Sequence, residues 1–204
     1  VSGFRIQISG KGVEAVLKDV SDLPAAMPKI LSMAVNRTAD RERTESARAL
    51  LGEYAWPKSY LAPATGRLVV SRRASESIPE ATIRARWRPT SLARFVDGAP
   101  GKGLAVRVRA NKGPRLLNRA FLVRLRAGNQ LTETKSNLGL AVRTSGPKPA
   151  AAFKPAKFGK NVWLLYGPSV ASVFFRVSGE RSEQTARLLE TEFLRLLNLT
   201  RGSN

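Results

Sequence analysis

The chain of 204 residues has no cysteine and no histidine. The first absence excludes disulfides and thiol nucleophiles. Together the two exclude Cys/His zinc sites and any mechanism in which an imidazole carries protons near neutral pH. No stretch approaches the roughly 18 consecutive apolar residues of a membrane-spanning helix. The opening Val1-Ser2-Gly3-Phe4-Arg5 lacks the basic-then-apolar layout of a secretory signal. The expectation is a soluble, intracellular chain without a membrane partner. With 43% hydrophobic residues and room to bury about 70% of its unfolded surface, it should fold by packing alone. One α+β domain over 1–204 is expected.

Acids are scarce where bases are dense. The formal charge is +20, from 35 Lys and Arg against 15 Asp and Glu. Residues 1–53 are nearly balanced and residues 179–204 fully so, whereas residues 54–178 hold 23 bases and four acids, Glu76, Glu80, Asp97 and Glu133. Arginine outnumbers lysine 24 to 11, which favours planar, multi-donor contacts with phosphate or carboxylate. Such a surplus repels itself unless an anion screens it. Nucleic acid or an acidic protein surface is the expected partner.

Hydrophobic spacing gives the elements. Phe4-Arg5-Ile6-Gln7-Ile8 alternates as a strand does. From Leu23 to about Gly52, steps of three and four through Met27, Ile30, Leu31, Ala34, Val35, Thr38, Ala47, Leu50 and Leu51 predict one long helix, kinked at Pro28. Its solvent side is expected to carry Arg37, Asp40, Arg41, Glu42, Arg43, Glu45 and Arg48, with Arg41 and Glu45 spaced to pair. Tyr54–Tyr60 reads as a loop or one short helix. Thereafter the period falls to two. Strands are predicted at 67–75, 80–88, 104–109, 120–126, 138–143 and 162–166, the first two forming a hairpin about Ser77–Pro79. In 80–88, Ile83, Ala85 and Trp87 point one way and Arg84, Arg86 and Arg88 the other. Arg107, Arg109, Arg124 and Arg126 sit at the corresponding outward positions of two later strands, so one basic β-face is expected. Residues 146–160, with three Pro and four Lys, read as a basic loop or arm that orders only on assembly. Residues 183–199 form a last helix whose stripe, Leu188, Leu189, Phe193, Leu196 and Leu197, is core or subunit interface. The fold class is α+β: a long N-terminal helix and a C-terminal helix on a mainly antiparallel sheet.

Few residues offer chemistry. Asp40, Glu42 and Glu45 diverge around a helix and have arginines among them, so they do not form a metal-dependent hydrolase centre. Residues 98–103, Gly-Ala-Pro-Gly-Lys-Gly, lack the spacing and the terminal hydroxyl of a phosphate loop. No catalytic residue, metal or cofactor is assigned, and a non-enzymatic protein is expected. Arg84, Arg86 and Arg88 recur at about 6.6–7 Å, near the phosphate spacing along one strand of nucleic acid. Few aromatics interleave with them, which argues for backbone contact without base reading. An acidic protein neighbour fits the same alternation.

Segment order adds a resemblance. Residues 23–50, LPAAMPKILSMAVNRTADRERTESARAL, are followed by YLAPATGRLVVSRRASESIPEATIRARWRPTSLARF at 60–95, GLAVRVRANKGPRLLNRAFLVRL at 103–125 and LLYGPSVASVF at 164–174. This order resembles the minor tail protein Z, or tail completion, family of long-tailed bacteriophages, with Gly167-Pro168-Ser169 its most specific motif. The Lys/Pro-rich stretch at 148–160 departs from the pattern. The resemblance implies a structural virion protein at the head-proximal end of the tail, made in the host cytoplasm. Its partners would be other tail and neck proteins and copies of itself in a ring, often sixfold, around the DNA channel. The rival expectation is a free-standing, sequence-nonspecific nucleic-acid-binding protein.

Overall fold

The computed structural model describes residues 3–7, 26–125, 138–145, 149 and 155–201. In chain order the elements are strand β1 (Gly3–Gln7), helix α1 (Met27–Glu53), and strands β2 (Leu68–Arg72), β3 (Glu80–Ala85), β4 (Thr90–Ser91), β5 (Val96–Gly98), β6 (Gly103–Val106), β7 (Arg115–Asn118), β8 (Ala120–Arg124), β9 (Leu138–Arg143), β10 (Ala156–Gly159) and β11 (Val162–Gly167). Helices α2 (Val170–Glu180) and α3 (Ser182–Arg201) close the chain. The class is α+β, and every pairing between named strands is antiparallel.

The chain divides into two compact units. The first comprises residues 1–49, 61–86 and 174–204; the second comprises 50–60 and 87–173. In the first, β1, β3 and β2 form a three-stranded sheet in that order. The β2–β3 hairpin turns where expected: Ser75 and Ile78 exchange backbone hydrogen bonds around Glu76 and Ser77. Met27, Ile30 and Ala34 of α1 pack with Phe193, Leu196 and Leu197 of α3, and Leu189 lies against them. Three of the five expected α3 residues are therefore core and a fourth borders it, while Leu188 is half-buried.

Pro28 occupies the first turn of α1 as described, where a missing N–H leaves no bond unmade; the expected start at Leu23, and with it the turn a kink would involve, lies outside the described residues. Helix α2 has no counterpart among the expected elements. Val170, Ala171, Val173, Phe174 and Val177 are all buried, so too little polar contrast marks a period, and their β-branched and aromatic character looks strand-like.

The second unit holds two sheets. One runs β10-β11-β9-β8 with β4 added on β11, and the other runs β5-β6-β7. Gly103 is required in the latter, because a Cβ there would run into the Leu117 carbonyl of the paired strand. Residues 156–159, expected within a loop, are strand β10; residues 146–148 and 150–154 of that stretch lie outside the described residues. The aromatic segment after α1 is core. Tyr54 and Trp56 stack with centroids 5.2 Å apart, Trp56 and Tyr60 at 5.9 Å, and Phe95 meets Trp56 at 6.0 Å. Arg109 caps one end over Tyr54 at 4.3 Å and Arg94 the other over Tyr60 at 5.7 Å.

Candidate functional site

The arginines expected on one β-face are distributed over three sheets and the loops beside them. Arg84 is exposed on β3, and Arg86 follows that strand half-buried, its N–H donating to the Arg67 carbonyl. The strand ends at Ala85, so Arg88 belongs to no strand and Trp87 is 62% exposed instead of facing inward. Arg107 and Arg109 lie just past β6. Arg124 is exposed on β8, in a different sheet. Arg126 lies outside the described residues. These positions therefore do not share one sheet, as alternation alone suggests they would.

Two of these arginines also have partners. Arg107 forms an ion pair with Asp97. Arg109 donates to Glu53 at 3.1 Å while covering Tyr54. Both serve the second unit internally.

The acids of α1 follow a different pattern from the solvated face expected. Asp40 takes two hydrogen bonds from Arg73, at 2.9 and 3.0 Å, and Glu45 pairs with Arg48, not with Arg41. Glu42, by contrast, is 1% exposed. Its Oε1 accepts from Arg181 Nε at 3.1 Å and from Ser46 Oγ at 2.7 Å. Its Oε2 accepts from Arg181 Nη2 at 3.1 Å and from Thr185 Oγ1 at 2.9 Å. The hydrogen bond to Glu42 is the main reason the Arg181 guanidinium is held above its ordinary range. Arg43, expected in solvent, is half-buried and donates to the carbonyls of Leu61 and Leu68. Burial draws its guanidinium below the ordinary value. One sequence signal existed for Glu42: Thr38, Glu42, Ser46 and Leu50 recur in steps of four on the buried stripe. These groups bind one another, and the cluster is a structural lock.

Gly167-Pro168-Ser169 is the junction from β11 to α2. Gly167 lies where a Cβ would come within 3.0 Å of Phe95. The Pro168 carbonyl accepts from the Thr90 N–H at 3.3 Å. Ser169, buried, caps the helix by accepting from the Ser172 N–H at 3.0 Å. The motif therefore fixes a chain reversal.

The second unit also has a depression of about 670 Å³ lined by Arg119, Phe121, Arg143, Ser145, Lys160 and Asn161, with Thr144 between them. Arg119 is the single residue joining β7 to β8, and Lys160-Asn161 is the two-residue turn between β10 and β11. Arg143 ends β9, its guanidinium over the Phe121 ring at 5.9 Å. Two backbone bonds close the rim: Arg143 N–H to the Arg119 carbonyl at 3.4 Å, and Thr144 N–H to the Asn161 carbonyl at 2.9 Å. Among the described residues no carboxylate lines this depression, which suits it to an anion. Sequence reasoning missed it because its cations come from two connections and a strand end far apart in the chain.

Among the described residues, no group of three or more acidic side chains is placed to hold a metal ion, and no helix is long and apolar enough to cross a membrane. The chain matches no protein-family model, no curated protein and no solved structure.

Proposed function

We propose that this chain is a structural protein of a tailed-phage particle, acting without turnover at the head-proximal end of the tail to complete it or join it to the head. The second unit's surplus of cations over carboxylates carries the reading: residues 50–60 and 87–173 include 17 Lys and Arg against three acids. A particle component beside a DNA channel has a use for such a surplus, and a ring of copies would repeat it around the axis. The order of segments and the Gly167-Pro168-Ser169 junction supply the resemblance to tail completion proteins. Neighbouring tail and neck proteins and further copies of the chain are the proposed partners.

The test is to disrupt the gene in the phage or prophage that carries it and inspect the particles. Filled heads and free tails that join when the protein is restored are expected, with the chain present in complete particles at a fixed small copy number. Complete, infectious particles without it would overturn the reading. The free nucleic-acid-binding alternative predicts that outcome, with the chain absent from purified virions.

A further inference from the structure

The geometry points to the depression bounded by Arg119, Arg143 and Lys160 as a site for the phosphate backbone of nucleic acid. This deepens the polyanion half of the proposed function and is independent of its particle half.

Three observations converge there. The first is charge without compensation. Arg72, Arg73, Arg107, Arg109 and Arg181 each have a carboxylate partner. Arg119, Arg143 and Lys160 have none among the described residues, and each is exposed. The second is shape: the three cations border a concavity whose lining also includes Phe121 and Asn161. A phosphate there would meet donors from several directions, including the fork of a guanidinium.

The third is backbone conformation. Among the described residues, Arg119 and Asn161 are the non-glycine residues with positive φ, at 59° and 60°, and both line this depression. Asparagine tolerates the left-handed region; arginine does so at a cost. A glycine would turn the β7–β8 corner more comfortably. Strain kept for a long cationic side chain at the edge of a hollow is the pattern of a functional position. An acidic protein segment would meet the same charges. However, the three cations border one open depression of about 670 Å³, with room for successive phosphates of a polymer whose oxygens suit the forked guanidinium donors.

The test uses the full chain and a fluorescent DNA duplex of about 30 base pairs, followed by anisotropy across a salt series. Arg119→Gly removes the charge and relieves the backbone. It should weaken binding several-fold while leaving the urea midpoint unchanged or higher. Arg119→Gly combined with Arg143→Gln and Lys160→Gln should weaken binding by more than about tenfold at low salt. That variant should also flatten the slope of log K against log salt by about 0.9 for each phosphate left without its cation. Arg84→Gln with Arg86→Gln, in the first unit, should change neither quantity. The inference is overturned if the native chain fails to bind DNA at low salt, or if the triple variant binds as the native chain does. It is equally overturned if the Arg84/Arg86 pair accounts for the loss, or if poly-glutamate displaces the duplex at equal charge concentration. None of these results bears on whether particles lacking the chain remain incomplete.

Discussion

The two units carry almost the same number of bases and treat them in opposite ways. The first has 18 Lys and Arg against 12 acids, the second 17 against three. In the first, guanidinium groups are absorbed into the fold: Arg181 on Glu42, Arg73 on Asp40, Arg72 on Glu80 and Arg37 on Glu192. In the second, Asp97 and Glu53 each engage one arginine, and Arg119, Arg143 and Lys160 border a hollow with no acid among its described lining residues. The same residue type thus serves cohesion in one unit and leaves charge for an outside partner in the other. Net charge over the whole chain conceals that division.

The comparison is broken most severely at Glu42. Glu42→Ala leaves the Arg181 guanidinium and the Ser46 hydroxyl facing a site from which their carboxylate acceptor is gone, and should cost about 3–5 kcal/mol. The urea midpoint would report it, at constant m-value. Replacing both partners, Glu42→Met with Arg181→Met, should restore a large part of that loss, because the unpaired charge disappears with its partner. The sign of the pH dependence follows from Arg181. Its folded-state value is raised above the unfolded one, so its contribution is complete below the ordinary guanidinium range and is lost only as pH rises through the raised value. The difference between native and Glu42→Ala chains should therefore persist through moderately alkaline buffers. A midpoint unchanged by Glu42→Ala would refute the assignment of a lock.

In the second unit the corresponding anchor is aromatic. Trp56→Ala opens the stack between Tyr54 and Tyr60 and removes the ring that meets Phe95. A loss of about 3–5 kcal/mol is expected, again read from the urea midpoint. Trp56→Phe should cost clearly less: it keeps a ring in the stack and removes an indole N–H that is buried without a hydrogen-bond partner among the described residues. If the two substitutions were equally damaging, the N–H would be contributing more than the ring.

Elements with a clear period or a sharp polar boundary were the legible ones. The 138–143 strand is found at its predicted bounds, and the last helix extends the predicted range by only a residue or two at each end. The helix repeats its apolar positions at one period, and the strand's apolar run stops at the exposed Arg143. Helix α2 was illegible because too many of its positions are buried. Glu42 is misread when its charge is assigned to solvent before its place in the step-of-four register is weighed. The lone basic β-face failed for another reason: alternation fixes which side of its own strand Arg84 or Arg124 takes, but says nothing of which sheet the strand joins. The depression could not be read at all, since Arg119, Arg143 and Lys160 meet only through the β8–β9 and β9–β11 pairings.

Ser169→Ala should cost about 1 kcal/mol, the usual value for losing an N-cap acceptor, and Ser169→Asp should recover most of it. Stability measured for the three chains side by side checks this. A far larger loss from Ser169→Ala would mean that the Gly167-Pro168-Ser169 junction holds more than the start of α2.

The smallest stability effect is expected at Asp97, and it sharpens the contrast between the units most directly. Asp97 and Arg107 are each about 40% exposed, at 40% and 42%, and an ion pair so open to water contributes under about 1 kcal/mol. Asp97→Asn should therefore hardly move the urea midpoint, whereas Glu42→Ala in the first unit moves it far. Its effect on charge is larger than its effect on stability, because one of the second unit's three acids is neutralised and Arg107 is released. If unpaired cations are what this unit offers to nucleic acid, Asp97→Asn should tighten duplex binding about two- to threefold at low salt, with the gain fading as salt screens it. Weaker binding, or a gain that does not depend on salt, would show that pairing with Asp97 orients Arg107 for its partner, and that the second unit's cations are not simply those the carboxylates leave over.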